Sequence, residues 1–566
     1  MCGIVGVVGN KGSENLINAM VKSQSHRGPD YSGIWRDDQV FFGHNRLSII
    51  DLSTEANQPF VSDRYILVFN GEIYNYIELK AELNEYEFKT NSDTEVLIAA
   101  YIKWGKQCLS RLNGMFSFAI WDTKDKTLFA ARDRFGVKPF YYHFSNNTFY
   151  FSSEIKALHA ASIKKEPNKK VWFNYIASGS YGMPNETFWN EIEQLQGGHY
   201  LEFIENKLTI EKWYFFEEEI KKHKKEQSFD EVKKQYKELL LDSIKIRFRS
   251  DVKVGFNISG GLDSSVLLAL VNQLEKKSKI NAFTFYTNNQ KYDELPWVEE
   301  MIALTNNPLE KVLLRPDEEF KNKLLYISKI QDEPFGGIPT IAYSEIFKQA
   351  RSKENIVLLD GQGMDEQWAG YDYYVQNNDS TIQGVSKSPF RPNMLSKKAA
   401  KFIRKANYPK HFESEVLNKQ YRDLFYTKIP RALRFNDRVS MAYSTELREP
   451  FLDYRLVELA FAQPLKYKIH NGIQKYLLRE LVSEYLSDGI TYAPKRPLQT
   501  PQREWMGKEL KEFIDETIVD LKNSEYSEWF NIDEIENEWN LYLLGDKDSS
   551  FHIWQILSLR MLFDNE

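Results

Sequence analysis

Through roughly the first 210 residues the apolar positions cluster in short runs closed by turn residues: GIVGVV (3–8), QVFFGHNRLSII (39–50), RYILVFNGEIYN (64–75), FSFAIWD (116–122), TLFAARD (127–133), FYYH (140–143) and TFYFSSE (148–154). Runs this short and this closely spaced predict strands packed into sheets. Between them, SENLINAMVKSQSH (13–26) and DTEVLIAAYIKWG (93–105) carry a helical period. The first half therefore reads as a layered α/β arrangement.

The pattern changes after FFEEEIKKHKKEQ (215–227), a charged stretch that reads as an exposed connector or the start of a helix. A helical run, FDEVKKQYKELLLDSIKIRF (229–248), precedes an alternation of strand and helix: VKVGFNI, SSVLLALVNQLEKK, INAFTFY, LPWVEEMIALTN and IVLLD (356–360). Such alternation places parallel strands under helices on both faces. Beyond residue 395 the pattern is mainly helical. The expected division is a layered domain over 2–210, a connector over 211–235 and a parallel-sheet domain with a helical tail over 236–566.

With 566 residues, 42% hydrophobic and 27% charged, the chain has the balance of a globular protein of two or more domains. A net charge of -6, with both signs interspersed, argues against nucleic acid, whose phosphates favour a basic surface. Cys2 and Cys108 are the two cysteines, too few for a disulfide framework or zinc spacing. No long apolar run or basic leader is evident. A cytoplasmic, reducing setting without a membrane partner is the expectation.

Two stretches carry chemistry. Cys2 directly follows the initiator methionine, and a small residue there favours removal of that methionine. The cysteine would then hold both a thiol and a free α-amine, whose ordinary pKa of about 8 leaves a neutral fraction able to take the thiol proton. Gly3 and Gly6 in CGIVG let the backbone pass close to a ligand; the same run also reads as a plain apolar strand. In FNISGGLDSSVLLAL (256–270), a strand ends at Ile258, Gly260 and Gly261 follow, and a helix opens at about Asp263. Amides and a helix N-terminus thus converge on an anion. Ser259, Ser264 and Ser265 add hydroxyl donors, and the lysine of a Walker loop is absent. A glycine turn with a Ser/Asp cap is the plainer reading.

CGIVG, HRGPD (26–30), RLSI (46–49), NGEIYN (70–75), SDTE (92–95) and RDRFGVKP (132–139), in this order, resemble the glutaminase domain of class II glutamine amidotransferases, closest to asparagine synthetases. SGGLDSS resembles the pyrophosphate loop of enzymes that cleave ATP between its α and β phosphates. DEPFGG (332–337) and LRFNDRVSMAYSTELREPFLD (433–453) are similar to further parts of the synthetase pattern, with Asp437 and Arg438 as pocket candidates. The resemblance implies an αββα sandwich of the N-terminal-nucleophile type, followed by an adenylating α/β domain.

It also implies roles. Cys2 attacks the glutamine carboxamide; Asn70 and the Gly71 N–H hold the oxyanion, each such donor contributing about 3 to 4 kcal/mol. Arg46 clamps the glutamine α-carboxylate beside Leu47 and Ile49, a task suited to a planar fork. Glu72 and Asp93 take the α-ammonium, although SDTE also fits a helix cap at Asp93. His26 and Arg27 are taken as structural or loop-ordering residues. For ATP, Ile258 and Phe285 bracket the adenine, Asp360 and Gly361 lie beside the ribose or α-phosphate, and Lys495 and Lys475 contact phosphate. Asp263 and Asp365 hold Mg²⁺, a cation with hard-oxygen preference. An internal passage for ammonia and a homodimer are further family expectations.

One departure bears on the acceptor. Where many asparagine synthetases carry Ser-Gly-Glu-Gly, this chain has Asp360, Gly361, Gln362 and Gly363. An amide cannot act as a general base, so Asp360 or Glu366 substitutes, or the acceptor differs. Gln362 and Glu366 are the candidates to meet the acceptor or its intermediate. Three readings stay open: aspartate as acceptor, another carboxylate such as a sugar uronic acid, and a non-catalytic binding module.

Overall fold

The computed structural model describes residues 2–9, 11–223, 226–274, 280–376, 382, 388–493, 495, 499–545 and 549–563. Among these, the alternating runs of the first half form two antiparallel six-stranded sheets. In one, strand Gly3–Val8 lies between Val40–Arg46 and Thr148–Ser152. In the other, Tyr65–Ile73 pairs along its whole length with Gly114–Asp122. Successive side chains of a strand point to opposite faces. Ile4, Val8, Val40 and Phe42 therefore meet Ile66, Val68, Ala119 and Trp121 between the sheets. The outer faces are covered by helices Glu14–Ser23 and Ile155–Ala160 on one side and by Asp93–Trp104 on the other. The result is the αββα sandwich.

The second half is built on a five-stranded parallel sheet in the order Leu309–Leu313, Ala282–Tyr286, Lys253–Asn257, Asn355–Leu359, Glu446–Arg448. Adjacent Leu358 and Leu359 point to opposite faces, and both are buried, which is why IVLLD is continuously apolar. Phe256, Ala282 and Leu359 pack under helices Phe229–Arg247 and Leu262–Leu274. Phe283, Leu358 and Leu447 pack under Ile338–Ser352 and Lys428–Met441. The expected helix continues into Glu275–Lys277, which lie outside the described residues.

Two features sharpen the pattern-based reading, the first by choosing the start of a helix over an exposed connector for the charged stretch, the second by a helix that the strand runs of the first half did not announce. The charged stretch after residue 214 contains helix Phe216–His223, anchored by buried Phe216 and Ile220, with the Phe216 ring stacked on Tyr421 and meeting Phe425 and Phe461 at steeper angles. Helix Lys169–Ser178 of the first half places Trp172 and Phe173 in one cluster with Phe335, Trp529 and Trp554 of the second. Among the described residues, no helix is long and apolar enough to cross a membrane.

Candidate functional site

Cys2 stands just before strand Gly3–Val8 and is only 7% exposed. Its backbone N–H donates to Asn70 Oδ1 at 3.0 Å, and Arg27 Nε donates to its carbonyl at 3.0 Å. Asn70 lies inside strand Tyr65–Ile73, whose ladder fixes its main chain. With Oδ1 committed to Cys2, Asn70 Nδ2 is buried without a hydrogen-bond partner. A buried orphan donor is costly unless a ligand oxygen completes it, so this group marks where negative charge can develop beside the thiol. At Gly71 the chain runs so close to the next strand that a Cβ would lie 2.1 Å from the Met115 carbonyl oxygen. Burial pushes the Cys2 thiol pKa up, while the Leu47 backbone N–H and the Arg46 charge favour its thiolate.

Arg46, Leu47, Ile49, Gly71, Glu72 and Asp93 line the same narrow cleft as Cys2. The Arg46 guanidinium donates to the Ser53 carbonyl and Asn57 Oδ1, at 2.7 Å each, and to the Asp51 carbonyl. These bonds hold the 51–57 loop at the mouth of the cleft. Glu72 lies 3.4 Å from Arg448; burial and then the Glu446 charge push its carboxyl well above the usual range. Asp93 accepts from the Ile73 N–H at 2.8 Å and is pushed up to about 6, mainly by burial. The cap of its helix is Ser92, which accepts from the Thr94 N–H at 3.1 Å. Asp93 is the first helical residue, and its carboxylate faces the cleft.

Arg27 takes the structural of the two roles expected for it. Fully buried, it pairs with Glu154 and, across the two halves, with Asp437, each at 2.9 Å. Arg438 reaches Glu333 at 3.0 Å and the Tyr141 hydroxyl at 2.7 Å. Asp437 and Arg438, pocket candidates by sequence, thus join the halves and line neither cleft.

At the carboxyl edge of the parallel sheet lies a cavity of about 640 Å³. Ser259, Gly260, Gly261, Asp263 and Ser264 line it from the turn after Lys253–Asn257. Asp360, Gly361, Gln362, Asp365 and Glu366 line it from the turn after Asn355–Leu359, with Lys475 and Lys495 also on its wall. Ser264 Oγ braces the loop, donating to the Ser259 carbonyl at 2.8 Å and accepting from the Ser259 N–H at 3.2 Å. The Gly260 N–H donates to Glu294 Oε2 at 3.0 Å, so an anionic oxygen fills one place in the amide cradle. Ser265 spends its hydroxyl on the Gly261 carbonyl at 3.0 Å and does not line the cavity. Ile258 and Phe285 lie in an adjoining recess that shares Asn257, Ser259, Glu294 and Tyr343 with the main cavity.

Lys475 Nζ is 2.6 Å from both Asp263 Oδ1 and Asp365 Oδ1, and Lys495 also pairs with Asp365. The two aspartates converge on one positive charge, an arrangement that suits a hard divalent cation as well. Among the described residues, no group of three or more His, Cys, Asp or Glu side chains is placed to hold a metal by itself. Against the burial that would raise it, Lys475 and Lys495 hold Asp365 well below the usual carboxylate range. Burial pushes Asp360 up to about 6, opposed by the Gly361 N–H, the Gln362 amide and Asn257 Nδ2, the last at 3.2 Å. Glu366 accepts from the Tyr371 hydroxyl at 2.9 Å and burial pushes it up to about 8. Sequence reasoning missed Glu294, Tyr371 and Lys428 on this wall; Tyr371 alone had a signal, as the aromatic closing the DGQG segment.

Residues 1–214 match the glutamine amidotransferase domain family and residues 235–564 the asparagine synthase family. Asparagine synthetase [glutamine-hydrolyzing] 3 of Bacillus subtilis (strain 168) is 31% identical, over 93% of this chain and 91% of that one. Asparagine synthetase [glutamine-hydrolyzing] 1 of the same organism is 30% identical, over 98% and 95%. Amidase chry2 of Gibberella zeae is 27% identical, over 89% and 88%.

Proposed function

The chain belongs to the glutamine-hydrolysing asparagine synthetase family, and from that premise we propose how its two clefts divide the work of a glutamine-dependent amidotransferase ligase. Residues 2–210 act as the glutaminase, 211–235 connect, and 236–566 adenylate the acceptor. The acceptor is L-aspartate and the product L-asparagine. The setting is cytoplasmic and the enzyme a homodimer.

In the first cleft, loss of Met1 frees the Cys2 α-amine to take the thiol proton, and the thiolate attacks the glutamine carboxamide carbon. Asn70 Nδ2 and the Gly71 N–H receive the oxyanion. Arg46, Leu47 and Ile49 place the α-carboxylate of glutamine, and Glu72 and Asp93 its α-ammonium. Breaking the C–N bond releases ammonia, and water then cleaves the thioester to glutamate.

In the second, the 259–264 loop cradles the β and γ phosphates of ATP. Adenine fills the recess at Ile258 and Phe285, Asp360 and Gly361 flank the ribose or α-phosphate, and Lys475 and Lys495 reach phosphate oxygens. Asp263 and Asp365 fit Mg²⁺, which when bound would screen the phosphate charges. An acceptor carboxylate oxygen attacks the α-phosphorus as pyrophosphate leaves. Ammonia adds to the acyl carbon of the adenylate, nitrogen loses a proton, and the bond to AMP breaks.

The observation that carries this coupled reading is strand Glu446–Arg448. The Arg448 side chain lies 3.4 Å from Glu72 in the glutamine cleft, while its carbonyl accepts the Asp360 N–H of the cavity at 3.0 Å. Incubation with ATP, Mg²⁺, glutamine and aspartate is expected to yield asparagine, glutamate, AMP and pyrophosphate in equal amounts. Glutamate release without asparagine would exclude aspartate. Gln362 favours a second reading, in which the same chemistry amidates another carboxylate such as a sugar uronic acid; mass spectrometry over a panel of acids separates the two.

A further inference from the structure

Amide formation sheds a proton from ammonia, and the carboxyls on the cavity wall are committed elsewhere. Asp263 and Asp365 pair with Lys475 and Lys495. Glu294 takes the Gly260 N–H and Glu366 the Tyr371 hydroxyl. Asp360, with one oxygen on Asn257 Nδ2 at 3.2 Å, is placed against the ribose or α-phosphate. Gln362 is an amide and cannot take a proton. Just behind this wall lies a carboxyl without a role in the steps above, Glu449. It is 4% exposed, and neither of its side-chain oxygens completes a hydrogen bond, although the nearby Gln362 N–H favours its ionised form.

Strand pairing sets its place. Arg448 lies opposite Leu359 in the parallel ladder, and its carbonyl accepts the Asp360 N–H at 3.0 Å. Glu449 therefore leaves the sheet beside Asp360 and Gln362, both of which line the cavity. One residue earlier, Arg448 lies 3.4 Å from Glu72 of the glutamine cleft, so Glu449 stands where the two halves meet. The charges that reach it come from both: Asp360 opposes its ionisation, while Arg247 and the buried Lys138 of the first half favour it. Buried acceptors left without a donor are costly, and a nitrogen carrying N–H groups would complete them. Burial and then the Asp360 charge push the Glu449 carboxyl well above its usual range, the direction in which a general base is tuned for neutral pH.

We propose that Glu449 takes the proton that ammonia sheds on the acyl adenylate, supplying from the end of strand Glu446–Arg448 the carboxylate that Gln362 does not. This rests on the amidotransferase reading above and assigns a proton transfer which that reading leaves open. The nitrogen lone pair bonds to the acyl carbon, and the bond from that carbon to the AMP oxygen breaks with its electron pair on oxygen. One N–H proton passes to a Glu449 oxygen, its bonding pair staying on nitrogen. Solvent reclaims the proton once AMP has left. Adenylation precedes this transfer and makes no use of Glu449, and glutamine hydrolysis takes place in the other cleft.

The test reads glutamine hydrolysis, acceptor-dependent exchange of labelled pyrophosphate into ATP, and amide formation from glutamine or from ammonium salts, all in one full-length preparation and with whichever acid supports exchange. Glu449→Gln is expected to lower amide formation from both nitrogen sources by about 10²-fold or more, the contribution of a general base. Hydrolysis and exchange should be retained, which also shows that the fold is intact. Adding Gln362→Glu to that variant returns a carboxyl to the same corner and should restore most of the lost rate, a rescue that a merely space-filling side chain would not receive. Undiminished amide formation, loss from glutamine alone, an equal loss of exchange, or failure of the rescue would each overturn the inference. Should Glu449→Gln fold poorly, Glu449→Leu, apolar and of similar bulk, carries the same comparison. If the unmodified enzyme shows no exchange with any acid, or no amide from either nitrogen source, the amidotransferase reading itself fails, a result seen before any variant is made.

Discussion

The two clefts solve opposite electrostatic problems. Around Cys2 the groups aimed at the reacting atoms are neutral dipoles, the Asn70 amide and the Gly71 N–H, held by a sheet ladder that leaves Asn70 Nδ2 unpaired. Around the loop of Gly260 and Gly261 the groups are full charges, paired among themselves as Lys475 and Lys495 with Asp263 and Asp365. On the proposed reading the first site meets charge that appears only during reaction, where fixed dipoles act without reorganising. On the same reading the second receives a polyanion, and its lysines and aspartates neutralise each other in its absence. A neutral substrate amide and a triphosphate call for these two designs.

The sharpest way to break the contrast is Cys2→Ala. Glutamine-dependent product should fall by about 10³-fold or more, since nothing replaces a lost nucleophile, while product from added ammonium salts persists. Measuring both nitrogen sources in one preparation checks this, and retained glutamine hydrolysis would refute the assignment of Cys2.

Asn70→Ala should lower the kcat of glutamine hydrolysis by about 10²- to 10³-fold, the cost of one oxyanion donor. Pyrophosphate exchange should not change. Loss of both activities would show that Asn70 serves the fold rather than the oxyanion.

On the charged side, Asp365→Asn removes a shared partner of Lys475 and Lys495. It should cut pyrophosphate exchange by about 10²-fold with glutamine hydrolysis preserved. Full exchange activity would remove Asp365 from the site.

The smallest effect concerns pH. Burial raises Asp93 to about 6 in the folded chain, above its ordinary value near about 4. Its contribution to stability is therefore full below the ordinary value and lost as pH rises through about 6. Glutamine binding runs the other way, because the ionised carboxylate receives the ammonium. The glutamine KM should climb toward about tenfold per pH unit below about 6, and Asp93→Asn should flatten that limb. A KM independent of pH between 5 and 7 would count against Asp93 as the ammonium partner.

Much of this was legible along the chain because the signals are local. Alternating apolar residues set the strands of the sandwich, the continuous apolar run at 356–359 marked a strand covered on both faces, and the glycine turn of SGGLDSS between strand and helix was readable within a few residues; the role expected of Asn70 came only from the family resemblance. Other assignments could not be made that way. Strand Glu446–Arg448 has three residues, two of them charged, and is a strand because Asn355–Leu359 offers it a free edge. Ser265 sits in the loop motif but faces away from the cavity, since the helix turn consumes its hydroxyl. Arg27 and Asp437 are 410 residues apart and become one ion pair only when the halves close.

What the sequence alone determined, then, is which backbone segments become strand, helix and glycine turn, since these depend on periodicity and on residues adjacent in the chain. Only the tertiary structure decided which charges are answered and which are left spare. Whether Glu449 has a partner depends on the strand end and the charges that packing brings beside it, and burial sets the cost of leaving it without one.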